Sequence, residues 1–155
     1  MNKVYLGKYV NTHGIKGEIR IKSNFPYKEK VFKKNNEIII LDNTYLINSY
    51  RVHKDYDMVT LVGINSINDI PFPKNTNVYI NRDKFLDKND YLDSDLIGFI
   101  VYNSKLEREV LDILYLNNNK KLIKTESNYI PFELVKNVDL EKKRILIEDV
   151  DGLWK

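Results

Sequence analysis

Thr12-His13-Gly14-Ile15-Lys16-Gly17-Glu18 brings an imidazole, an ammonium and a carboxylate into one short stretch that holds two glycines three apart. Residues of these types can transfer a proton, hold a phosphate, or recognise a polar surface. Proton transfer needs a nucleophile or a carboxylate brought close to His13, and the sequence names none. A lysine flanked by glycines offers backbone N–H groups and one cation to a phosphate, although a bare β-turn would use the same residues. Gly14 and Gly17 accept positive φ and close backbone approach, so they predict a tight loop of defined shape.

The other candidates are weaker. His53 lies in a strand-like run without an evident partner and reads as structural or solvated. The acidic pairs Asp55/Asp57, Asp93/Asp95 and Asp149/Asp151 could bind a hard cation, but each sits in a turn-like or linker stretch, where Asp is favoured for local hydrogen bonding. No phosphate-binding P-loop, nucleophile elbow, H-E-x-x-H helix or EF-hand pattern occurs, so no metal, cofactor or catalytic residue is assigned. Gly14-Ile15-Lys16-Gly17 matches the G-x-x-G text that joins two helices in KH domains, but both flanks here alternate with period two, which rejects that fold. Phe25-Pro26-Tyr27-Lys28-Glu29-Lys30-Val31-Phe32-Lys33-Lys34 interleaves bases and aromatics. It reads as a loop whose aromatics cap the core and whose lysines face water, with an RNA-stacking surface as the competing reading.

Composition narrows the function classes. The 155 residues suffice for one ordinary or two small domains, and 43% hydrophobic content supports a core. The longest apolar runs, such as Ile38-Ile39-Ile40-Leu41, are strand-sized rather than membrane-spanning, and no secretory signal is visible. The absence of cysteine removes disulfides and thiol chemistry and fits a reducing, cytoplasmic setting. Ala and Gln are also missing while Asn, Lys, Ile and Tyr abound, the mark of AT-rich coding. The net charge of +3 hides an asymmetry. Residues 1–86 carry 14 basic against 8 acidic residues (+6), and residues 87–155 carry 11 against 14 (−3). A basic half suits phosphates and an acidic half suits a basic protein, although ordinary solvated surface would look the same.

The loop is positioned by strands. Val4 and Leu6 alternate with Tyr5 and Gly7, and Ile19 and Ile21 with Glu18, Arg20 and Lys22. Residues 45–53 and 58–62 form a predicted hairpin across Lys54-Asp55-Tyr56-Asp57, residues 78–80 form a short strand, and residues 65–70 form a helix ended by Pro71 and Pro73. Residues 81–95 are polar and charge-dense and read as a linker. Further strands are predicted at 96–102, 109–116, 121–125, 128–130 and 144–147, with Asn117-Asn118-Asn119-Lys120 as a hairpin turn. Short strands at this spacing favour small barrels.

Taken in order, Leu6 to Ile21, Asp95-Leu96-Ile97-Gly98-Phe99, Ile130-Pro131-Phe132, Val138-Asp139-Leu140 and Asp151-Gly152-Leu153 resemble the ribosome maturation factor RimM family. The resemblance implies an all-β chain of two small β-barrels. Residues 1–82 would form a translation-factor-like barrel, 83–94 a linker and 95–155 a PRC-barrel. It implies a non-catalytic, monomeric assembly factor of the cytoplasm, without membrane contact. Such a factor binds ribosomal protein S-nineteen and 16S rRNA in the immature 30S head. By position it assigns Thr12, His13, Gly14, Lys16, Gly17 and Glu18 to a ribosome- or RNA-binding loop, and Tyr91 and Phe132 to ribosomal-protein binding. A protein-only PRC-barrel adaptor is the alternative function. Three positions depart from the family pattern. Leu92 follows Tyr91 where a second tyrosine is usual, Arg108 stands in place of a glycine, and Ile70-Pro71 in place of Ala-Glu.

Overall fold

The computed structural model describes residues 2–152. Leu153 of the closing motif lies outside the described residues. The chain divides into two compact units, residues 1–87 and 88–155, whose net charges of +5 and −2 keep the asymmetry of the sequence.

The first unit is a closed barrel of strands β1 (Lys3–His13), β2 (Glu18–Lys22), β3 (Glu37–Ile40), β4 (Asn43–His53), β5 (Tyr56–Leu61) and β6 (Thr76–Asn81), in the order β1-β2-β5-β4-β3-β6. Alternation drives β2, β4 and β6, where Ile19, Ile21, Ile47 and Ile80 have essentially no exposure and their strand neighbours are more exposed, while β3 buries Ile38, Ile39 and Ile40 in a run. Three register shifts, at Tyr5/Gly7 and Tyr9/Asn11 in β1 and at Ile47/Ser49 in β4, bend the long strands so that the sheet closes and leaves no free edge.

Local structure departs from expectation where polar composition hides order. The predicted loop at 25–34 contains one helical turn, α1 (Lys28–Val31), with Phe25, Val31 and Phe32 buried and Lys33 and Lys34 exposed. The expected helix at 65–70 is a single 3-10 turn over Ile67–Asp69. The Ser66 hydroxyl caps it by accepting the Asn68 N–H, and the two prolines give it no room to lengthen. Residues 82–85 of the expected linker form a second helical turn, α2 (Arg82–Phe85), capped by Asn81.

The second unit packs two sheets round one core. Strands β7 (Ile100–Tyr102) and β8 (Glu107–Glu109) join β12 (Val135–Asp139) and β13 (Arg144–Ile147) in the order β12-β13-β7-β8. Strands β9 (Asp112–Tyr115), β10 (Lys121–Lys124) and β11 (Tyr129–Pro131) form the other sheet. Leu96, Val101, Ile113, Ile123, Ile130 and Ile145 fill the space between. The run predicted as one strand at 96–102 begins instead with a 3-10 turn over Asp93–Leu96, in which Asp95 accepts the Leu92 N–H. The run at 109–116 divides between β8 and β9, which lie in different sheets.

Candidate nucleic-acid interface

The predicted loop is the tip of the β1–β2 hairpin. His13 pairs with Glu18 as the last rung, and residues 14–17 make the turn. The two glycines do different work. Gly14 has φ +72° and open space where a Cβ would stand, so it is needed only for its backbone conformation. Gly17 has φ +86°, and a Cβ there would lie 3.0 Å from the Ser66 carbonyl oxygen and 3.1 Å from Ile64 Cγ2. The Ile67 N–H donates to the Ile15 carbonyl at 3.1 Å, which ties the hairpin tip to the 3-10 turn. Ile15 and Lys16 are therefore held out from a fixed backbone, with Ile15 77% exposed.

Strand pairing then surrounds the hairpin base with residues far away in sequence. The register aligns Arg20 of β2, Met58 of β5 and Arg51 of β4 in one outward row. Met58 is nonetheless fully buried. Arg51 grips Glu18 bidentately, Nε to Oε2 at 2.9 Å and Nη2 to Oε1 at 2.7 Å. That hydrogen bonding, helped by the charge of Arg51, holds the Glu18 carboxyl below the usual range.

Arg20 Nη2 lies 2.8 Å from His13 Nδ1. A guanidinium has no acceptor, so Nδ1 accepts and the ring proton sits on Nε2. The His13 and His53 rings are 5.5 Å apart. Partial desolvation pushes the His53 pKa down, and the positive charges of Arg51, Lys54 and Arg20 add to the effect. Tyr56, paired with His53, has the Arg20 guanidinium 5.8 Å and the Lys22 ammonium 5.6 Å from its ring centroid. The result is a sheet face with four cations, two imidazoles and one aromatic ring round the hairpin. Such a face offers positive charge and donors to phosphate oxygens.

Of the residues assigned to the loop, His13 and Glu18 enter this cluster directly. Gly14 and Gly17 shape the turn, and Lys16 projects from its tip. Thr12 pairs with Ile19 at the preceding rung. Sequence reasoning missed Arg20, Lys22, Arg51, His53 and Tyr56. The outward alternation of β2 signalled the first two, but nothing local signals that β4 and β5 lie alongside.

Tyr91 and Phe132 are both half-buried against the second core, and Lys121 Nζ stands 4.0 Å from the Phe132 ring centroid. Lys121 and the Tyr115 hydroxyl both donate to Asp93, at 3.0 and 2.6 Å. Burial and that carboxylate push the Tyr115 hydroxyl up to about 12. Within the three acidic pairs Asp95 makes the expected local bond, whereas Asp57, Asp93 and Asp149 reach groups far along the chain. Asp57 binds Lys28 and the Tyr50 hydroxyl, Asp95 the Leu92 N–H and Asp149 the Ser104 N–H. Among the described residues no group of three or more His, Asp or Glu is arranged to hold a metal ion, and no helix is long and apolar enough to cross a membrane.

Comparison with known proteins identifies the family. Residues 4–85 match the model of the RimM N-terminal domain. The chain is 38% identical over 164 aligned positions to ribosome maturation factor RimM of Staphylococcus aureus strain bovine RF122 / ET3-1. That alignment covers 97% of this chain and 98% of the relative. The protein of the same name from strain NCTC 8325 / PS 47 is 37% identical over the same shares. The solution structure of the N-terminal domain of RimM from Thermus thermophilus is 15% identical and covers 56% of this chain and 98% of its own, with a TM-score of 0.48. On the family match and the full-length identity together, the chain belongs to the RimM family.

Proposed function

We propose that this protein is a non-catalytic ribosome assembly factor that binds the immature small subunit and promotes its maturation and 16S rRNA processing. The observation that carries the reading is the basic outer face of the barrel. There Arg20, Lys22, Arg51 and Lys54 surround Tyr56 and the glycine-shaped hairpin. Its chemistry fits 16S rRNA of the 30S head, which it would grip chiefly through phosphates. The name carried by the Staphylococcus aureus relatives supports the ribosomal setting, and with it the cytoplasm.

The second unit supplies the protein contact, to ribosomal protein S-nineteen. Tyr91 and Phe132 suit this role because both are anchored in the core while keeping part of their rings accessible. Anchored aromatics lose little entropy on binding, which favours them at interfaces.

Co-sedimentation with immature subunits, mature subunits and 70S ribosomes across a salt series tests the reading. Selective binding to free or immature subunits that weakens steeply with salt is expected. Binding to an isolated ribosomal protein with no salt-dependent RNA component would favour the protein-only adaptor. Turnover of an RNA substrate, abolished by one His or Asp substitution, would make the protein an enzyme.

A further inference from the structure

Beside the basic face the barrel opens into a cleft of about 400 Å³, lined by the segment 22–24, Lys28, Tyr50, Val52 and the segment 54–57. We propose that this cleft takes one unstacked nucleotide of a single-stranded RNA, whose flanking phosphates lie on Lys22 and Lys54. The proposal rests on the RNA-binding reading above and adds what kind of RNA is held and where.

Four observations support it. The volume falls within the range of sites for small organic molecules and exceeds what one phosphate needs. The floor is already satisfied. Asp57 is 2% exposed, and its two oxygens accept from Lys28 Nζ and the Tyr50 hydroxyl, each at 2.7 Å. The Ser23 hydroxyl donates to the Leu6 carbonyl and accepts the Phe25 N–H. A floor of this kind neither demands a cation nor repels a neutral ring.

The walls and rim are mixed in the way a nucleotide requires. Val52 is 64% exposed although it stands in a strand, and it gives a flat base an apolar surface to cover. Asn24 and Asp55 are exposed and offer hydrogen bonds to a base edge. Finally, Lys22 and Tyr56 line the cleft and also belong to the outer face round Arg20 and Arg51. A strand lying on that face therefore passes the mouth of the cleft, whereas a duplex keeps its bases stacked and cannot fill it.

The test is fluorescence anisotropy with labelled hexaadenylate and hexauridylate, against an RNA duplex carrying equal numbers of phosphates per strand, at fixed salt. Wild type is expected to prefer single strands by about tenfold, the usual effect of one well-held base. Val52→Arg fills the cleft while adding positive charge, so steric and electrostatic effects have opposite signs. It is expected to abolish the single-strand preference and to leave duplex affinity equal or higher. Val52→Thr, which keeps the shape, is expected to retain the preference.

If Val52→Arg strengthens both RNAs in proportion, or if wild type shows no preference, the cleft proposal is overturned while the basic face stands. If Arg51→Ala and Lys22→Ala change no RNA affinity, or wild type binds no RNA, the underlying reading falls with it. Displacement of the hexanucleotide by inorganic phosphate alone would make the cleft an anion site and overturn the proposal.

Discussion

The two units handle their charged side chains in opposite ways. In the barrel, cations from β2 and β4 and the adjoining turn are pooled by strand pairing on one outward face. In the second unit four carboxylates bind backbone N–H groups instead. Asp95, Asp112, Asp139 and Asp149 accept the N–H groups of Leu92, Ile113, Lys142 and Ser104. A pooled set of cations projects a field toward a partner, while a carboxylate paired with an amide mainly fixes a turn. Net charges of +5 and −2 therefore differ in kind as well as in sign. The positive unit presents a surface, and four carboxylates of the negative unit serve its own backbone.

This contrast can be broken most forcefully through the cores. Ile123→Ala empties a fully buried position between Ile113 and Ile130 and is expected to cost about 3 kcal/mol in urea denaturation. If the interface is a property of the barrel face, RNA affinity below the unfolding midpoint stays unchanged. Asp57→Asn is the matching lesion in the barrel. It strips a buried carboxylate from Lys28 and Tyr50 and is expected to cost about 2–3 kcal/mol.

The hairpin sharpens the contrast at finer scale. Gly17→Ala combines positive φ with a contact against Ser66 and is expected to cost about 2 kcal/mol, against about 1 kcal/mol for Gly14→Ala. Equal losses would show that the close approach to Ser66 carries no weight. On the face itself, Arg51→Ala is expected to lower RNA affinity by about three- to tenfold and to reduce the salt slope by about one ion. The corresponding change Lys121→Ala in the second unit is expected to leave both untouched.

The smallest expected effect is with pH. The His53 pKa lies below its ordinary value, so the ring is neutral near pH 7, and a bound phosphate favours its protonation. RNA affinity should rise as pH falls from neutrality, by about two- to threefold for one added charge. The His53→Gln variant should show less of that rise, measured by anisotropy at constant ionic strength.

Much of the architecture was legible in the sequence. Period-two alternation in residues 18–22 and the glycines at 14 and 17 located the hairpin. Reading the Asp pairs as turn formers holds for Asp95, but Asp57, Asp93 and Asp149 bind groups distant in sequence, which Asp chemistry alone does not signal. Strand β12, Val135-Lys136-Asn137-Val138-Asp139, was missed because its alternation is diluted by polar residues on a partly exposed sheet. The rest of the interface was illegible for a different reason. Arg51 and Glu18 are 33 residues apart and meet only because β5 lies between β2 and β4. Strand order of that kind has no local signature, whereas a hairpin carries its own.

The insertion of β13 between β12 and β7 has a consequence for how the chain is made. Strand β7 pairs in parallel with β13, and about 40 residues separate them. At ~5–20 residues per second, the inner edge of β7 waits on the order of 2–8 seconds for its partner to be synthesised. The barrel needs nothing later than β6 to close. During synthesis the unit with the basic face is thus complete while the other still exposes an unpaired strand. The growing chain passes through an interval in which only the barrel could recognise a partner.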